Sequence, residues 1–89
     1  MRYLQLRNWV VKSTYGTLYS CGWPDLYAAH IVHGTRWIEV KTPIGRLRET
    51  QTTFITDFAL VGIGVWVLQA ATPFEYAKLF KPPNWQSYI

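Results

Sequence analysis

A run of six residues, 63–68, constrains the fold of this chain more than any other feature. It reads Ile-Gly-Val-Trp-Val-Leu and is apolar on both faces of an extended chain. Such a run is typical of a buried β-strand in a parallel or central position of a sheet. Residues 47–61 before it carry apolar side chains at helical spacing, and Gly62 follows them as a stop signal. A helix that leads into a buried strand predicts an α/β fold.

Three further strands are predicted before this helix. Residues 36–41 alternate between polar and apolar side chains, the period of a strand. Residues 25–29 are predicted to pair with them as a hairpin whose connection is closed by Gly34. Residues 9–11 form a short third run of strand-forming residues. Together with the strand at 63–68, we expect a small central mixed β-sheet.

Helices are predicted at the two ends of the chain. Residues 1–8 are either a truncated helix or a frayed end. Thr72, Pro73 and Glu75 carry the N-terminal signals of a last helix over 73–81, which two prolines end. The 89 residues are predicted to form one domain, 1–89, with the sheet flanked by helices.

Composition excludes some classes of protein without indicating a chemistry. Hydrophobic residues make up 49% of the chain and charged residues 16%, which excludes a disordered tail. The net charge of +4 permits an anionic partner but does not require one. Cys21 is the only cysteine and a weak candidate nucleophile; a chain without an internal disulfide fits a reducing compartment. With no export signal and no apolar run of about 20 residues, we expect an intracellular, cytoplasmic protein without a membrane partner.

Two of the five acidic residues are predicted to meet on the sheet. Glu39 and Lys41 are two residues apart on a strand, so both project from one face. Asp25 begins the neighbouring strand of the hairpin and is expected beside Glu39. One interpretation is an ordinary solvated strand face. The other is a divalent cation site, because adjacent carboxylates repel unless neutralised, and Mg²⁺ is typically held by one or two carboxylates with phosphate oxygens and waters.

Lys41 and Gln51 extend this candidate site. Beside a cation, the Lys41 ammonium is placed to orient or deprotonate an attacking water and to stabilise charge on a phosphate. Gln51 begins the predicted helix on the face that points at the sheet, and a buried glutamine needs hydrogen-bond partners. The carboxylates or a phosphate are the predicted partners. The competing interpretation is a glutamine on the helix surface.

Basic residues near the site are candidates for phosphate contacts. Arg46 and Arg48 flank the loop after the strand that carries Glu39, and Lys12 and Arg36 are weaker candidates. The alternative is that all four are solvated surface charges.

We expect structural roles for three aromatic residues near the hairpin. Trp23 is expected to pack in the core or in a dimer interface rather than to stack on a base. His30 and His33 lie in the hairpin connection and are expected to be surface residues rather than metal ligands.

An ordered set of motifs resembles one nuclease family. The segments that carry the resemblance are Gly22-Trp23-Pro24-Asp25-Leu26, Trp37-Ile38-Glu39-Val40-Lys41, Gly45-Arg46-Leu47, Gln51 and Gly62-Ile63-Gly64-Val65-Trp66-Val67. In this order and spacing they resemble the VRR-NUC family of the PD-(D/E)XK nucleases. The resemblance covers roughly residues 9–68.

The resemblance implies a restriction-endonuclease-like core and a role for each residue. Asp25 and Glu39 would ligate Mg²⁺ or Mn²⁺ together with the main-chain carbonyl of Val40. Lys41 would be the catalytic lysine and Gln51 its supporting glutamine. The implied reaction is metal-dependent hydrolysis of DNA phosphodiester bonds in phage or bacterial replication, recombination or repair. Small stand-alone phage members of the family act as homodimers on branched or duplex DNA, so a homodimer is implied here too.

The chain departs from the family pattern at its start. The family often has an N-terminal helix with a Glu that completes the metal shell, whereas residues 1–24 contain no Asp or Glu. We therefore expect the first helix to be short or missing, or that ligand to come from water or a partner subunit. The alternative function is a catalytically weak or inactive DNA-binding or assembly module with the same fold. A function unrelated to nucleic acid rests on composition alone.

Overall fold

The computed structural model describes residues 2–14 and 23–89. Its helices and strands are α1 (Arg2–Gln5), β1 (Val10–Ser13), β2 (Leu26–His30), β3 (Gly34–Val40), α2 (Glu49–Leu60), β4 (Val65–Leu68) and α3 (Pro73–Tyr76). Two short 3₁₀ helices, Ala77–Phe80 and Trp85–Tyr88, follow α3. The strands form one sheet in the order β1-β2-β3-β4, in which the first three are antiparallel and β4 is parallel to β3. The expected small mixed sheet with flanking helices is confirmed.

The sheet separates two hydrophobic clusters, one on each face. The cluster under α2 contains Leu47, Ile55, Val65 and Val67, with Trp37, Phe58, Trp85 and Tyr88 packed against it. The cluster on the other face contains Leu4, Trp9, Val11, Leu26, Ala28, Ile38, Leu68, Tyr76 and Leu79. Successive side chains of a strand point to opposite faces, so Glu39, which follows Ile38, projects toward α2. This alternation places the candidate site on the α2 side of the sheet.

β4 is parallel, as predicted, but it lies at an edge of the sheet rather than at its centre. Its outer edge is covered by a side chain instead of a strand. The Asn84 amide donates to the Val67 carbonyl at 3.0 Å and accepts from the Val67 N–H at 2.7 Å. Asn84 therefore makes the two hydrogen bonds that a further strand would make, and this explains why an apolar strand is tolerated at the edge.

The ends of the hairpin strands differ slightly from the prediction. β3 begins at Gly34, where φ is 82°, and ends at Val40, one residue before Lys41. The Lys41 N–H still continues the ladder, since it donates to the Leu68 carbonyl at 2.8 Å. Asp25 lies one residue before β2 instead of inside it. Lys41 and Asp25, two residues of the candidate site, thus stand where a strand meets a loop.

The last predicted helix is divided. α3 ends at Tyr76, and the chain continues as a 3₁₀ helix to Phe80 rather than as one helix over 73–81. Thr72 caps α3 as predicted, because its hydroxyl accepts the N–H of Glu75 at 3.3 Å. The Glu75 carboxylate instead accepts the N–H of Gln69 at 2.7 Å and pairs with Lys78. Glu75 therefore stabilises the loop before α3 and not the cap.

The first helix is short, as expected: α1 has four residues and buries Leu4 in the core. Cys21 and Gly22, which the sequence interpretation used, lie outside the described residues. In the described ranges no helix is long and apolar enough to cross a membrane.

Candidate active site

The two predicted carboxylates meet where β2 begins and β3 ends. The pairing of Leu26 with Ile38 brings Asp25, the residue before β2, to the level of Glu39. Asp25 Oδ2 accepts the main-chain N–H of Val40 at 3.0 Å, which fixes this carboxylate against the end of β3. The structure therefore brings Asp25, Glu39 and the Val40 backbone together.

Glu39 is almost completely buried, with 1% of its surface exposed. Its Oε2 accepts a hydrogen bond from the Gln51 side chain at 2.6 Å. Its Oε1 is buried and receives no hydrogen bond from an N–H group or hydroxyl of the described residues. The Glu39 carboxyl lies close to the Asp25 carboxyl, and the two share a hydrogen bond only while one of them holds a proton. A buried oxygen of this kind is costly, because folding removes it from water without a replacement.

Burial, and then the neighbouring Asp25 carboxyl, raise the pKa of Glu39 to about 8. The charges of Lys41 and Arg48 act in the opposite direction and only partly offset them. Without a cation, Glu39 therefore holds a proton at neutral pH. A buried glutamate whose charged form is disfavoured in this way is typical of a site that needs an external positive charge.

Gln51 joins the lysine, the carboxylate and the start of α2. It is the third residue of α2 and is 3% exposed. Its Oε1 accepts from Lys41 Nζ at 2.7 Å and from the Arg48 N–H at 3.0 Å. The second of these bonds is the glutamine half of a capping box. The structure places Gln51 in the interior against a carboxylate, as predicted, and not on the helix surface.

The oxygen atoms of this site fit a hard divalent cation that takes only a few of its ligands from the protein. Asp25 and Glu39 supply carboxylate oxygens, and a main-chain carbonyl belongs to Val40, whose N–H donates to Asp25 at 3.0 Å. The part of the chain that the structure describes contains no group of three or more His, Cys, Asp or Glu side chains that could hold a metal. Mg²⁺ commonly retains several waters and binds through one or two carboxylates, so two acids do not exclude it. Glu39 Oε1, which receives no hydrogen bond from an N–H group or hydroxyl of the described residues, is the atom that such an ion would satisfy.

The predicted basic residues are divided between the two faces of the sheet. Arg46 and Arg48 are exposed in the loop before α2. The charge of Arg48 acts on Glu39, whereas Arg46 donates to the Ser87 carbonyl at 3.2 Å. Lys12 is exposed and pairs with Tyr27, on the same face as Glu39 but two strands away. All three remain accessible to a polyanion.

Arg36 does not belong to the site. Its Nε donates to the Leu79 carbonyl at 2.7 Å, and its guanidinium stacks 4.8 Å from the centre of the Trp66 ring. Arg36 and Glu39 are three residues apart in β3, and an odd separation puts them on opposite faces. The predicted period of two could have excluded Arg36 from the site.

The rings near the hairpin have structural contacts. Trp23 packs with Phe54 at 4.9 Å and Trp37 at 5.5 Å between ring centres, although 37% of its surface is exposed. His30 and His33 pack against Trp9, and His30 Nδ1 accepts the N–H of Val32 at 3.0 Å. Neither histidine approaches the carboxylates, because the hairpin turn lies at the far end of β3.

Sequence reasoning missed the contacts that hold the loop before α2. The Leu47 N–H donates to the Tyr88 carbonyl at 2.8 Å, and the Gln69 side chain donates to the Pro43 carbonyl at 3.0 Å. Main-chain acceptors leave no signature in a sequence, so no pattern could have indicated these contacts.

Four residues that the sequence predicts as catalytic or metal-binding thus lie in one place: Asp25, Glu39, Lys41 and Gln51. Arg48 and the Val40 backbone adjoin them. The sequence has no significant match to a family model or a curated protein, and the fold has none to a solved structure.

Proposed function

We propose that this chain is a Mg²⁺- or Mn²⁺-dependent nuclease that hydrolyses phosphodiester bonds in DNA. One observation carries the proposal: a buried glutamate oxygen that receives no hydrogen bond from an N–H group or hydroxyl lies beside a second carboxyl group and a lysine. Asp25, Glu39 and the Val40 carbonyl would hold the ion. When bound, the cation polarises the phosphate and lowers the pKa of a coordinated water. The motif resemblance to VRR-NUC nucleases supports the same chemistry.

Lys41 has the position of a group that acts on the phosphate or the attacking water. Its ammonium is held by the Gln51 amide oxygen at 2.7 Å rather than by a carboxylate. A neutral acceptor orients the ammonium without cancelling its charge, so the charge stays available for a developing phosphate anion. Gln51 then serves as a positioning residue for both Lys41 and Glu39.

DNA is the proposed partner because the loop before α2 is basic. Arg46 and Arg48 are exposed there, and the whole chain carries a net charge of +4. Arginine and lysine bind phosphates in a manner that is independent of sequence and weakens with salt. We expect the protein to bind the DNA backbone without reading bases.

A cleavage assay tests the proposal directly. The purified chain is incubated with linear, supercoiled and four-way-junction DNA in Mg²⁺, in Mn²⁺ or in chelator. We expect metal-dependent cleavage that falls by about 100-fold or more in Asp25→Ala and Lys41→Ala. Asp57→Ala is the matched control, because this exposed acid lies on α2 away from the carboxylates. Cleavage that survives Asp25→Ala and Lys41→Ala would refute the assignment.

A DNA-binding or assembly module without turnover is the second candidate. It is favoured by the small number of acidic ligands and by α1, which has four residues and no acid. This candidate predicts DNA binding that falls steeply with salt but no cleavage in any metal. A calorimetric Mn²⁺ titration separates the two functions, since a competent site binds the ion and loses it in Glu39→Ala.

A homodimer in the cytoplasm of a bacterium or an infected host cell completes the proposal. Several large apolar side chains are exposed on the described surface, among them Phe74 at 80%. A second copy of the chain would cover part of this surface. Sedimentation at micromolar concentration tests the oligomeric state, and a purely monomeric species would refute the dimer.

A further inference from the structure

Two segments far apart in the chain are joined just before α2, the helix that carries Gln51. We call residues 41–48, between β3 and α2, the site loop, and residues 81–89 the strap. The site loop starts at Lys41 and leads into α2, whose third residue is Gln51. The strap crosses the outer edge of β4 and ends in the 3₁₀ helix Trp85–Tyr88.

The strap holds the second half of the site loop by backbone and side-chain contacts. The Leu47 N–H donates to the Tyr88 carbonyl at 2.8 Å, and Arg46 Nη1 donates to the Ser87 carbonyl at 3.2 Å. Leu47 is buried in the cluster against which the Trp85 and Tyr88 rings pack. The residues directly before α2 are therefore attached to the strap.

The strap is itself fixed to β4, the parallel partner of the strand that carries Glu39. Trp66 Nε1 donates to the Lys81 carbonyl at 2.8 Å, and Asn84 makes two hydrogen bonds with Val67. Because β4 is hydrogen-bonded to β3 in the sheet, contacts with β4 fix the strap relative to the strand that carries Glu39. The strap thus connects the site loop to the sheet by a route that does not pass through α2.

A polar network links this contact to a second hold on the site loop. Lys78 Nζ donates to the Tyr88 hydroxyl at 3.3 Å and forms an ion pair with Glu75 at 2.7 Å. Glu75 accepts the N–H of Gln69, whose side chain donates to the Pro43 carbonyl. Both ends of the site loop are therefore tied to the same ion pair.

We infer that Tyr88 is a positioning residue of the candidate site, through which the docked strap holds the site loop so that Gln51 keeps its hydrogen bond to Lys41. Catalytic geometry depends on supporting residues that lock the groups in contact with the substrate. The catalytic consequence rests on the proposed nuclease function. The effect on the site loop does not depend on it.

Amide hydrogen exchange in the metal-free chain of residues 1–89 tests the effect on the loop. In Tyr88→Ala we expect exchange of residues 46–51 to accelerate about tenfold, while β2 and β3 keep their protection. Tyr88→Ala and Tyr88→Phe both keep the main-chain carbonyl of residue 88, but Tyr88→Phe also retains the ring that packs under α2 and should stay close to wild type. Phe74→Ala is the control for loss of an exposed ring. Unchanged exchange at 46–51 would overturn the inference, and so would equal acceleration throughout the sheet. If Tyr88→Ala does not fold, Tyr88→Leu is judged by the same comparison.

Metal affinity and turnover, measured separately, distinguish a positioning role from a merely structural one, because loss of structure would lower both together. Asp25 and Glu39 lie on elements that the strap does not hold, so Tyr88→Ala should bind Mn²⁺ as the wild type does. Its kcat/KM on DNA should fall about tenfold, and Tyr88→Phe should restore it. Mn²⁺ affinity and kcat/KM that fall together would overturn the inference. A wild type without cleavage refutes the nuclease proposal alone, since the exchange experiment still decides the positioning role.

Discussion

Gln51 donates its side-chain amide to Glu39 across 2.6 Å, and this contact orients the whole candidate site. With the Gln51 NH₂ group directed at the carboxyl, its carbonyl oxygen is left to accept from Lys41 and from the N–H of Arg48. One neutral side chain thereby fixes an acid, a base and the start of a helix. Glutamine suits this place because it offers a donor at one atom and an acceptor at the other.

Replacing Gln51 tests the energetic value of this arrangement. Gln51→Ala leaves Glu39 Oε2 and the Arg48 N–H without their partner, so we expect the free energy of unfolding to fall by about 1–3 kcal/mol. Urea denaturation of the metal-free protein measures the loss. Gln86→Ala changes an exposed glutamine and should stay within about 0.5 kcal/mol of wild type. Equal stabilities of the two variants would contradict the observed network.

The raised pKa of Glu39 makes the stability of the metal-free protein fall as pH rises. Between its ordinary value of 4.5 and about 8, the folded state retains a proton that the unfolded state has lost. Because the folded state binds more protons in this window, the free energy of unfolding decreases with increasing pH. A tenfold difference in proton affinity between the two states corresponds to about 1.4 kcal/mol, so the total effect is several kcal/mol at most.

Glu39→Gln removes this titration and should flatten the pH dependence from about 5 to 8. Denaturation curves at several pH values measure the slope, with Glu49→Gln, an exposed acid of α2, as the control that keeps it. The titration of Glu75 does not obscure the slope between about pH 5 and 8. Burial alone would raise its pKa, but hydrogen bonds from Lys78 and Gln69 hold the pKa below its usual range. The stability that Glu75 contributes is therefore lost only in more acidic solution. A wild-type slope in Glu39→Gln would show that another group titrates.

The strand periodicity and the paired acids made much of the site predictable. The period of two along 36–41 was enough to put Glu39 and Lys41 on one face. The predicted hairpin placed Asp25 beside Glu39 on the neighbouring strand. The helical spacing after the loop turned Gln51 toward the sheet. These inferences are local, since each depends on one or two elements and a fixed geometry.

Contacts between distant parts of the chain were not predictable in the same way. The strap contains two prolines near its start and has no periodicity, so nothing in its sequence indicates the hydrogen bond from Leu47 to the Tyr88 carbonyl. The edge position of β4 depends on Asn84, whose amide substitutes for a strand. The side chain of Glu75 does not complete the cap, because it bonds the part-buried main-chain N–H of Gln69 and pairs with Lys78 instead. Tertiary packing decided each of these cases.

Substitution of Arg36 and of Arg46 should distinguish a structural arginine from one that binds phosphate. Arg36→Met loses the bond to the Leu79 carbonyl, and we expect a loss of stability of about 1–3 kcal/mol with an unchanged salt dependence of DNA binding. Arg46→Met should keep most of the stability and reduce the slope of log affinity against log salt by about 1. Fluorescence anisotropy at several salt concentrations measures the slope. A reduced slope in Arg36→Met would mean that this arginine also meets phosphate.

Asn84 should protect the edge of β4 in proportion to the hydrogen bonds that it makes. Asn84→Ala leaves the N–H and the carbonyl of Val67 without a side-chain partner, so we expect about 1–2 kcal/mol lower stability and faster exchange of the Val67 amide. Asn84→Asp keeps the acceptor for the N–H but loses the donor to the carbonyl. Its Val67 amide should therefore remain protected while its stability is intermediate. An exposed strand edge also pairs readily with other chains, so Asn84→Ala should associate more than Asn84→Asp at high concentration. Equal exchange of the Val67 amide in wild type and Asn84→Ala would show that the edge is closed by another contact.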